Sequence, residues 1–491
     1  MKKSLSSFIL FFATFFISCR SESIDLSDQS KNILALVGDK TITVNDFIKR
    51  CEYVPRPPYC NGDSYVHKKI ALNSLIAEKL LSIEFDKKNF TKTKSQSSFL
   101  GGQKEQAMRH LMLQTYGYDK VDVDEKKISR MAMLNTRQYD ISYITIDKHY
   151  EGLIDKLPSS LRLIEICEKL NISSGITKKT ITKNDDMIVE VDQILFQGMQ
   201  DLNKVYGPLR VDNNTILLFS IDGWNSNPSI SANDKRDAWK EARNQYVSNR
   251  AKEHYGKYVG EIMKGKHIKY NVSQFDKFAS ILSKIYLVEK DKREAAIENK
   301  IWEIEETSPV ASFDDVKKMR RDFIFTHGNK DYTVSDLLAL VEKHPLVFRN
   351  KKTNPSLFKN ELKYAIADLI RDMHITKKAY ELGLDEHFSV VSSEQKWDDY
   401  IKATIVKESL VALKNDSNSS KSLLRSNIDS LQSSYDGIIQ IDTDKFEKIE
   451  LSKIDMSVMF LNQPYSKLEP DFPILTDDHL LDYGSKVVFS D

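Results

Sequence analysis

The cysteines and histidines are the side chains of this sequence with the widest chemical repertoire, and their spacing limits what they can do. No Cys-x-x-Cys or His-Glu-x-x-His spacing occurs and the 10 histidines are scattered, so we predict neither a metal site nor a cofactor. Cys51 and Cys60 bracket a loop that contains three prolines. They are expected either to pair in an oxidising compartment or to remain two thiols. Cys167, in a segment of apolar periodicity, is predicted to be a buried apolar side chain.

Cys19 is the candidate for covalent lipidation. Lys2 and Lys3 precede an apolar run over residues 8–17, which is about half the length that spans a bilayer and is typical of an export signal. A small residue directly before a cysteine at the end of such a run resembles the lipobox of bacterial lipoproteins. The resemblance implies that Cys19 becomes the lipidated N-terminus, and ordinary secretion with cleavage elsewhere is the alternative.

Composition and charge indicate a folded protein of several domains. The chain has 491 residues, 41% of them hydrophobic and 29% charged, which allows two to four domains at roughly 100–200 residues each. The formal net charge is +1, so no overall basic field favours nucleic acid as a partner. No segment after the export signal is apolar enough to be predicted as a membrane span.

Two segments of the chain repeat each other. Residues 38–47 read Gly-Asp-Lys-Thr-Ile-Thr-Val-Asn-Asp-Phe, and residues 328–337 read Gly-Asn-Lys-Asp-Tyr-Thr-Val-Ser-Asp-Leu, with five of ten positions identical at an offset of 290. An apolar stretch precedes each segment, and a glycine opens each turn. The pattern predicts two hairpins, at 33–43 and 323–333.

Each hairpin is followed by the same helix signals. A threonine stands three residues before an aspartate in both copies, which is the spacing of a capping box, so helices should begin near Val44 and Val334. Some 30 residues further on, a longer amphipathic helix is predicted in each copy. The apolar positions are Leu72, Leu75, Ile76, Leu80 and Ile83 in the first copy, and Leu362, Ile366, Leu369, Ile370 and Met373 in the second.

Local patterns also give expectations for the C-terminal region. The polar run 415–422 is predicted to be a loop, residues 423–431 a helix, and residues 438–451 a strand. The last forty residues, which contain three prolines, are predicted to be irregular.

The first copy resembles the N-terminal chaperone region of SurA/PrsA-type periplasmic foldases. The residues that carry the resemblance are the hairpin Gly-Asp-Lys-Thr-Ile-Thr, the helix with Asp46-Phe47, the run Leu-Ile-Ala-Glu-Lys-Leu-Leu at 75–81 and Lys-Lys-Asn-Phe at 87–90. That family carries a parvulin-type peptidyl-prolyl isomerase domain, inserted before a final helix that packs back on the N-terminal helices. Here the alternating strand 139–146, the Gly-Pro turn within 205–210 and the strand 216–221 occupy the parvulin place, and 234–263 the returning helix.

The departures from the family pattern bear on catalysis. Active parvulins carry a histidine in the first strand and another in the final strand, and these positions fall on Tyr143 and Ile216. A degenerate parvulin-like domain without catalytic residues is therefore the favoured interpretation. His149, six residues past Tyr143, is predicted to be a surface histidine.

The resemblance implies a mostly helical α+β fold, with SurA-like helical chaperone domains, short β-hairpins and an inserted small parvulin-like α/β domain. The expected segments are a lipoprotein signal peptide (1–19), an N-terminal SurA-like chaperone region (20–136), a degenerate parvulin-like domain (137–224), a helix returning to the N-terminal region (225–275), a helical bridge (276–320) and a second SurA-like unit with a C-terminal extension (321–491).

Three functions remain open on the sequence. The favoured one is a lipid-anchored, non-enzymatic chaperone that binds unfolded exported proteins, outer-membrane proteins among them, on the periplasmic side of the cell envelope. The alternatives are an active peptidyl-prolyl isomerase and a structural lipoprotein with one dedicated partner. Arg20 follows Cys19, where an aspartate would indicate inner-membrane retention, so the outer membrane is the expected location.

Overall fold

A computed structural model of the chain describes residues 32–172, 175–198, 201–212, 214–226, 231–286, 311–349, 355–412, 417–451 and 463–489. Cys19 and the expected signal peptide lie outside these residues, as does 287–310 of the expected bridge. The described chain is mixed α+β and mostly helical with small sheets, which confirms the coarse fold class. None of the described helices is both long enough and apolar enough to cross a membrane.

The strands and helices are numbered here in chain order. The strands are β1 (Ile33–Val37), β2 (Lys40–Thr43), β3 (Arg137–Asp147), β4 (Thr177–Ile181), β5 (Val205–Arg210), β6 (Thr215–Ser226), β7 (Ile268–Tyr270), β8 (Phe323–His327), β9 (Lys330–Thr333), β10 (Ile439–Ile441) and β11 (Ser485–Lys486). The helices are α1 (Val44–Glu52), α2 (Tyr65–Lys87), α3 (Lys94–Tyr116), α4 (Glu125–Asn135), α5 (Glu151–Ile154), α6 (Leu163–Lys169), α7 (Val189–Asp192), α8 (Ala232–Met263), α9 (Val272–Tyr286), α10 (Ala311–Lys318), α11 (Val334–Lys343), α12 (Pro355–Glu381), α13 (Phe388–Val411), α14 (Ser417–Ser434) and α15 (Thr443–Glu447).

The chain divides into two compact units. Unit 1 includes Thr115–Tyr255, and unit 2 joins Ser21–Gln114 to Gly256–Asp491. In chain order, unit 1 is thus inserted between the two parts of unit 2.

Unit 2 contains both predicted hairpins. β1 and β2 form the first and β8 and β9 the second, with matching registers and a bulge at the same place in each. The turn glycines Gly38 and Gly328 have φ values of +63° and +61°, a conformation that glycine adopts without steric cost. The hairpin predictions are confirmed.

Capping boxes start the helices that follow the hairpins. The Thr43 hydroxyl accepts a hydrogen bond from Asp46 N at 3.0 Å, and the Asp46 carboxylate accepts one from Thr43 N at 3.4 Å. Thr333 and Asp336 make the same two bonds at 3.2 and 2.9 Å. α1 and α11 begin at Val44 and Val334 as predicted, and the predicted long helices are α2 and α12.

A third strand completes each hairpin of unit 2. β10 pairs antiparallel with β1, and β7 pairs antiparallel with β8. β11 adds to β10 in parallel. One apolar core surrounds the first sheet and another surrounds the second.

Two C-terminal expectations are corrected. The predicted strand 438–451 is a strand only over β10, because Asp442 accepts a hydrogen bond from Lys445 N at 2.9 Å and caps α15. The predicted loop 415–422 overlaps α14, which begins at Ser417. Helix is confirmed at 423–431, and the described part of the last forty residues is mostly irregular.

Unit 1 is built on a four-stranded antiparallel sheet with strand order β4-β3-β6-β5. The expected strands 139–146 and 216–221 lie in its two central members, β3 and β6. α5 and α6 contribute to the apolar cluster on one face, and α7 with the π-helical turn Gln193–Gln197 to the cluster on the other. α8 contains the expected helix 234–263 and packs on α4.

The cysteines of the described chain are all buried. Cys51 and Cys60 are present as thiols, so the structure does not contain the disulfide considered from the sequence. Burial raises the pKa of the Cys51 thiol to about 12, with a further contribution from Cys60, which indicates that the two sulfurs lie near each other. Pairing under oxidising conditions stays a prediction. Cys167 is buried in the apolar cluster beside α6, as predicted.

Candidate functional site on the inserted sheet

The two positions that correspond to parvulin histidines lie on opposite faces of the unit 1 sheet. Tyr143 of β3 is opposite Phe219 of β6, whereas Ile216 is opposite Ile146. Successive residues of a strand point to alternate faces, so positions 143 and 146 point away from each other. Accordingly, Tyr143 packs against the cluster on the α7 face, and Ile216 is buried in the cluster on the α5–α6 face.

This placement bears directly on catalysis. Rotation about a peptide bond has a barrier of about 18–20 kcal/mol, and an isomerase has to surround one X-Pro amide with the groups that lower it. Tyr143 and Ile216 are separated by the sheet and cannot line a common pocket. Both side chains serve apolar packing.

His149 has a local role. It lies in a short 3₁₀ turn after β3, is exposed, and has its Nδ1 atom 2.7 Å from the Asp147 carboxylate. The prediction of a surface histidine is confirmed.

The α7 face of the sheet carries a continuous apolar surface. Its buried centre includes Tyr139, Phe196 and Phe219, with the rings of Tyr139 and Phe196 edge to face at 5.4 Å. Around this centre lie half-buried apolar side chains that we call the apolar rim: Tyr143, Met187, Ile188, Ile194, Tyr206, Leu209 and Leu217. Val189, next to the rim residue Ile188, is 66% exposed.

Charged groups beside the apolar rim are paired with one another. Lys183 forms an ion pair with Asp192 and lies 5.2 Å from the centre of the Phe196 ring. Asp192 also accepts hydrogen bonds from Gln197 at 2.9 Å and from Gln245 at 3.2 Å. A carboxylate with three donors is held in its ionised form and is a poor proton acceptor. The surface is suited to contact apolar segments rather than to transfer protons.

The polar networks of unit 2 are structural. Asp399 of α13 accepts hydrogen bonds from Lys40 at 2.6 Å, from Lys79 at 2.8 Å and from Ser82 at 2.7 Å. Burial would raise the pKa of Asp399, but the charges of Lys79 and Lys40 outweigh burial and lower it. No group of three or more histidine, cysteine, aspartate or glutamate side chains suited to a metal ion occurs in the described part of the chain.

The sequence reasoning missed most of the rim. Met187 and Ile188 precede α7 without any periodic pattern that marks them, so no local signal was available. The opposite placement of Tyr143 and Ile216 did have a signal, since strand parity follows from the register of β3 against β6. No protein family, curated protein or solved structure matches this chain.

Proposed function

We propose that this chain is a non-enzymatic chaperone of the cell envelope, anchored through a lipid on Cys19. Its clients are unfolded exported proteins, outer-membrane proteins among them, and its location is the periplasmic side of the outer membrane. The observation that carries the proposal is the placement of Tyr143 and Ile216 on opposite faces of the unit 1 sheet, beside an apolar rim that remains half exposed.

The division of the chain supports the resemblance to SurA-type foldases. A sheet unit inserted between two parts of a helical unit is what the resemblance implies for a parvulin-like domain within a chaperone region. We interpret unit 2 as the SurA-like body and unit 1 as a parvulin-like insert that binds apolar segments without isomerising them. Half-exposed apolar surface of this kind typically marks an interaction site.

Aggregation suppression with two matched variants tests the proposal. Val189 and Val272 are each the first residue of a helix and are 66% and 67% exposed, so Asp at either position should leave the fold intact. Val189→Asp places a charge beside the rim and should raise the concentration needed to suppress aggregation by about three- to tenfold, since a buried valine contributes about 1.5 kcal/mol. Val272→Asp, in unit 2, should match the parent.

A protease-coupled prolyl isomerisation assay separates the proposal from the enzymatic alternative. The intact protein should show no acceleration above the uncatalysed rate. Turnover that disappears in Tyr143→Phe would instead identify an isomerase. Equal suppression by all three proteins, together with recovery of a single stoichiometric partner from cell envelopes, would favour a structural lipoprotein.

A further inference from the structure

The third strands of the two unit 2 sheets occupy equivalent positions. Leu36 of β1 is opposite Gln440 of β10, and Thr326 of β8 is opposite Lys269 of β7. Leu36 and Thr326 are separated by the repeat offset of 290. Gln440 and Lys269 are separated by 171 residues, and the other paired positions of the two third strands keep that separation.

The equivalence continues into the cap that follows each third strand. Asp442 N donates to Leu34 O at 2.9 Å, and Asn271 N donates to Ile324 O at 2.9 Å. Each side chain then caps a helix, with Asp442 accepting from Lys445 N at 2.9 Å and Asn271 from Gln274 N at 3.4 Å. These pairs again differ by 290 on the hairpin side and by 171 on the strand side.

A fully buried phenylalanine follows four residues after each cap. Phe446 packs edge to face on Phe47 of α1, with ring centres 5.8 Å apart. Phe275 packs on Tyr270, with ring centres 4.6 Å apart, within the core of the second sheet. Strand, cap and phenylalanine therefore form a duplicated segment of pattern Ile-x-(Ile/Tyr)-(Asp/Asn)-x-x-x-Phe, which we call the strand–helix segment: 268–275 in the first copy and 439–446 in the second.

The third long helix of each repeat contacts the other repeat. α2 and α12 are the equivalent long helices, and α3 and α13 follow them in chain order. Arg109 of α3 donates to the Thr376 hydroxyl of α12 at 2.8 Å. Lys79 of α2 donates to Asp399 of α13 at 2.8 Å.

We propose that unit 2 is an intramolecular exchange between its two repeats. In chain order, hairpin 33–43 belongs with segment 268–275, and hairpin 323–333 belongs with segment 439–446. In space, each hairpin holds the segment and the third long helix of the other repeat. Each hairpin is thus a docking site for a strand–helix segment, in which main-chain pairing gives affinity and the phenylalanine gives specificity. The occupant of each site comes from the opposite repeat.

Cysteine cross-linking in the full chain tests the exchange. Residues directly opposed in an antiparallel pair have Cβ atoms about 4.5–5.5 Å apart, near the range that a disulfide bridges. Four substitutions supply all the pairs: Leu36→Cys, Lys269→Cys, Thr326→Cys and Gln440→Cys. We expect cross-links for 36 with 440 and for 269 with 326, mapped by mass spectrometry. A cross-link of 36 with 269 or of 326 with 440 would show that each repeat keeps its own segment, and failure of both expected pairs in folded protein would equally overturn the exchange.

Cleavage between the repeats gives a second test. A specific protease site introduced between residues 286 and 311 cuts the chain after it has folded. Exchanged repeats hold each other's segments, so the two fragments should coelute in gel filtration and separate only in denaturant. Separation of the fragments in native buffer would contradict the proposal. Neither test depends on client binding, so both remain informative whatever the chaperone assays show.

Discussion

Arg50 and Glu78 form a buried ion pair between α1 and α2. Arg50 donates to both Glu78 oxygens, at 3.2 and 2.8 Å, and also to the Asp471 carbonyl at 2.8 Å. Both side chains are almost fully buried. Such a pair contributes little net stability compared with apolar residues, but the loss of one partner leaves an uncompensated charge in the core.

Glu78→Ala should therefore destabilise the protein by about 3–5 kcal/mol. Urea unfolding followed by circular dichroism measures the change. The control is Glu342→Ala, which removes the partner of the exposed Lys94 and should cost less than about 1 kcal/mol. Equal effects of the two substitutions would show that the Arg50 charge is not isolated from solvent.

Glu105 makes stability depend on pH. Burial would raise the pKa of Glu105, but hydrogen bonds from His344, at 2.5 Å, and from Lys343 outweigh burial and lower the pKa from 4.5 to about 2. Because the pKa is lower in the folded state, the ionised carboxylate stabilises the fold above the unfolded pKa, and this contribution is lost as the pH falls from about 4.5 to 2.

Glu105→Gln should thus be less stable than the parent at pH 7, and the difference should shrink as the pH falls through that window. Urea midpoints at a series of pH values measure it, with Glu342→Gln as the control. A difference that stays constant down to pH 2 would contradict the pKa assignment.

At the scale of elements, the two capping boxes should be equivalent in energy. Thr43→Ala and Thr333→Ala each remove the side-chain acceptor for the aspartate N–H, and each should cost about 1 kcal/mol. Thr→Ser at the same positions keeps the acceptor and should cost less. Denaturant unfolding measures all four variants, and an alanine substitution without effect would mean that its helix does not depend on its cap.

Elements with local signals were predictable from the sequence, and elements with distant partners were not. Hairpin turns, the capping threonines and the apolar stripes of α2 and α12 act within a few residues, so their positions were predicted closely. The partner of β1 is about 400 residues away along the chain, and no local pattern specifies that register. The predicted strand 438–451 was wrong after Ile441 because a single capping residue, Asp442, redirects the chain into α15.

The candidate site was predictable only in part. Motif comparison identified Tyr143 and Ile216 as the informative positions, and the absence of histidine there followed directly from the sequence. Their opposite faces required the register of β3 against β6. The rim residues before α7 required the tertiary fold, because the apolar residues there have no periodic spacing.

At the scale of the whole molecule, the anchor decides where the protein works. Cys19→Ala should move the protein from the membrane fraction to the soluble exported fraction or block its processing. Ser18→Ala keeps a small residue before the cysteine and should remain in the membrane fraction. Detergent partitioning of both variants measures this, and unchanged partitioning of Cys19→Ala would remove the lipid anchor from the account.

Refolding of a client whose slow phase is limited by prolyl isomerisation tests the central claim most directly. Light scattering and fluorescence, recorded together at increasing concentrations of this protein, separate binding from catalysis in a single experiment. A non-enzymatic chaperone should reduce scattering and raise the yield of folded client while the rate constant of the slow phase shows no acceleration. A slow phase that accelerates in proportion to the protein concentration, or scattering that does not fall, would contradict the account.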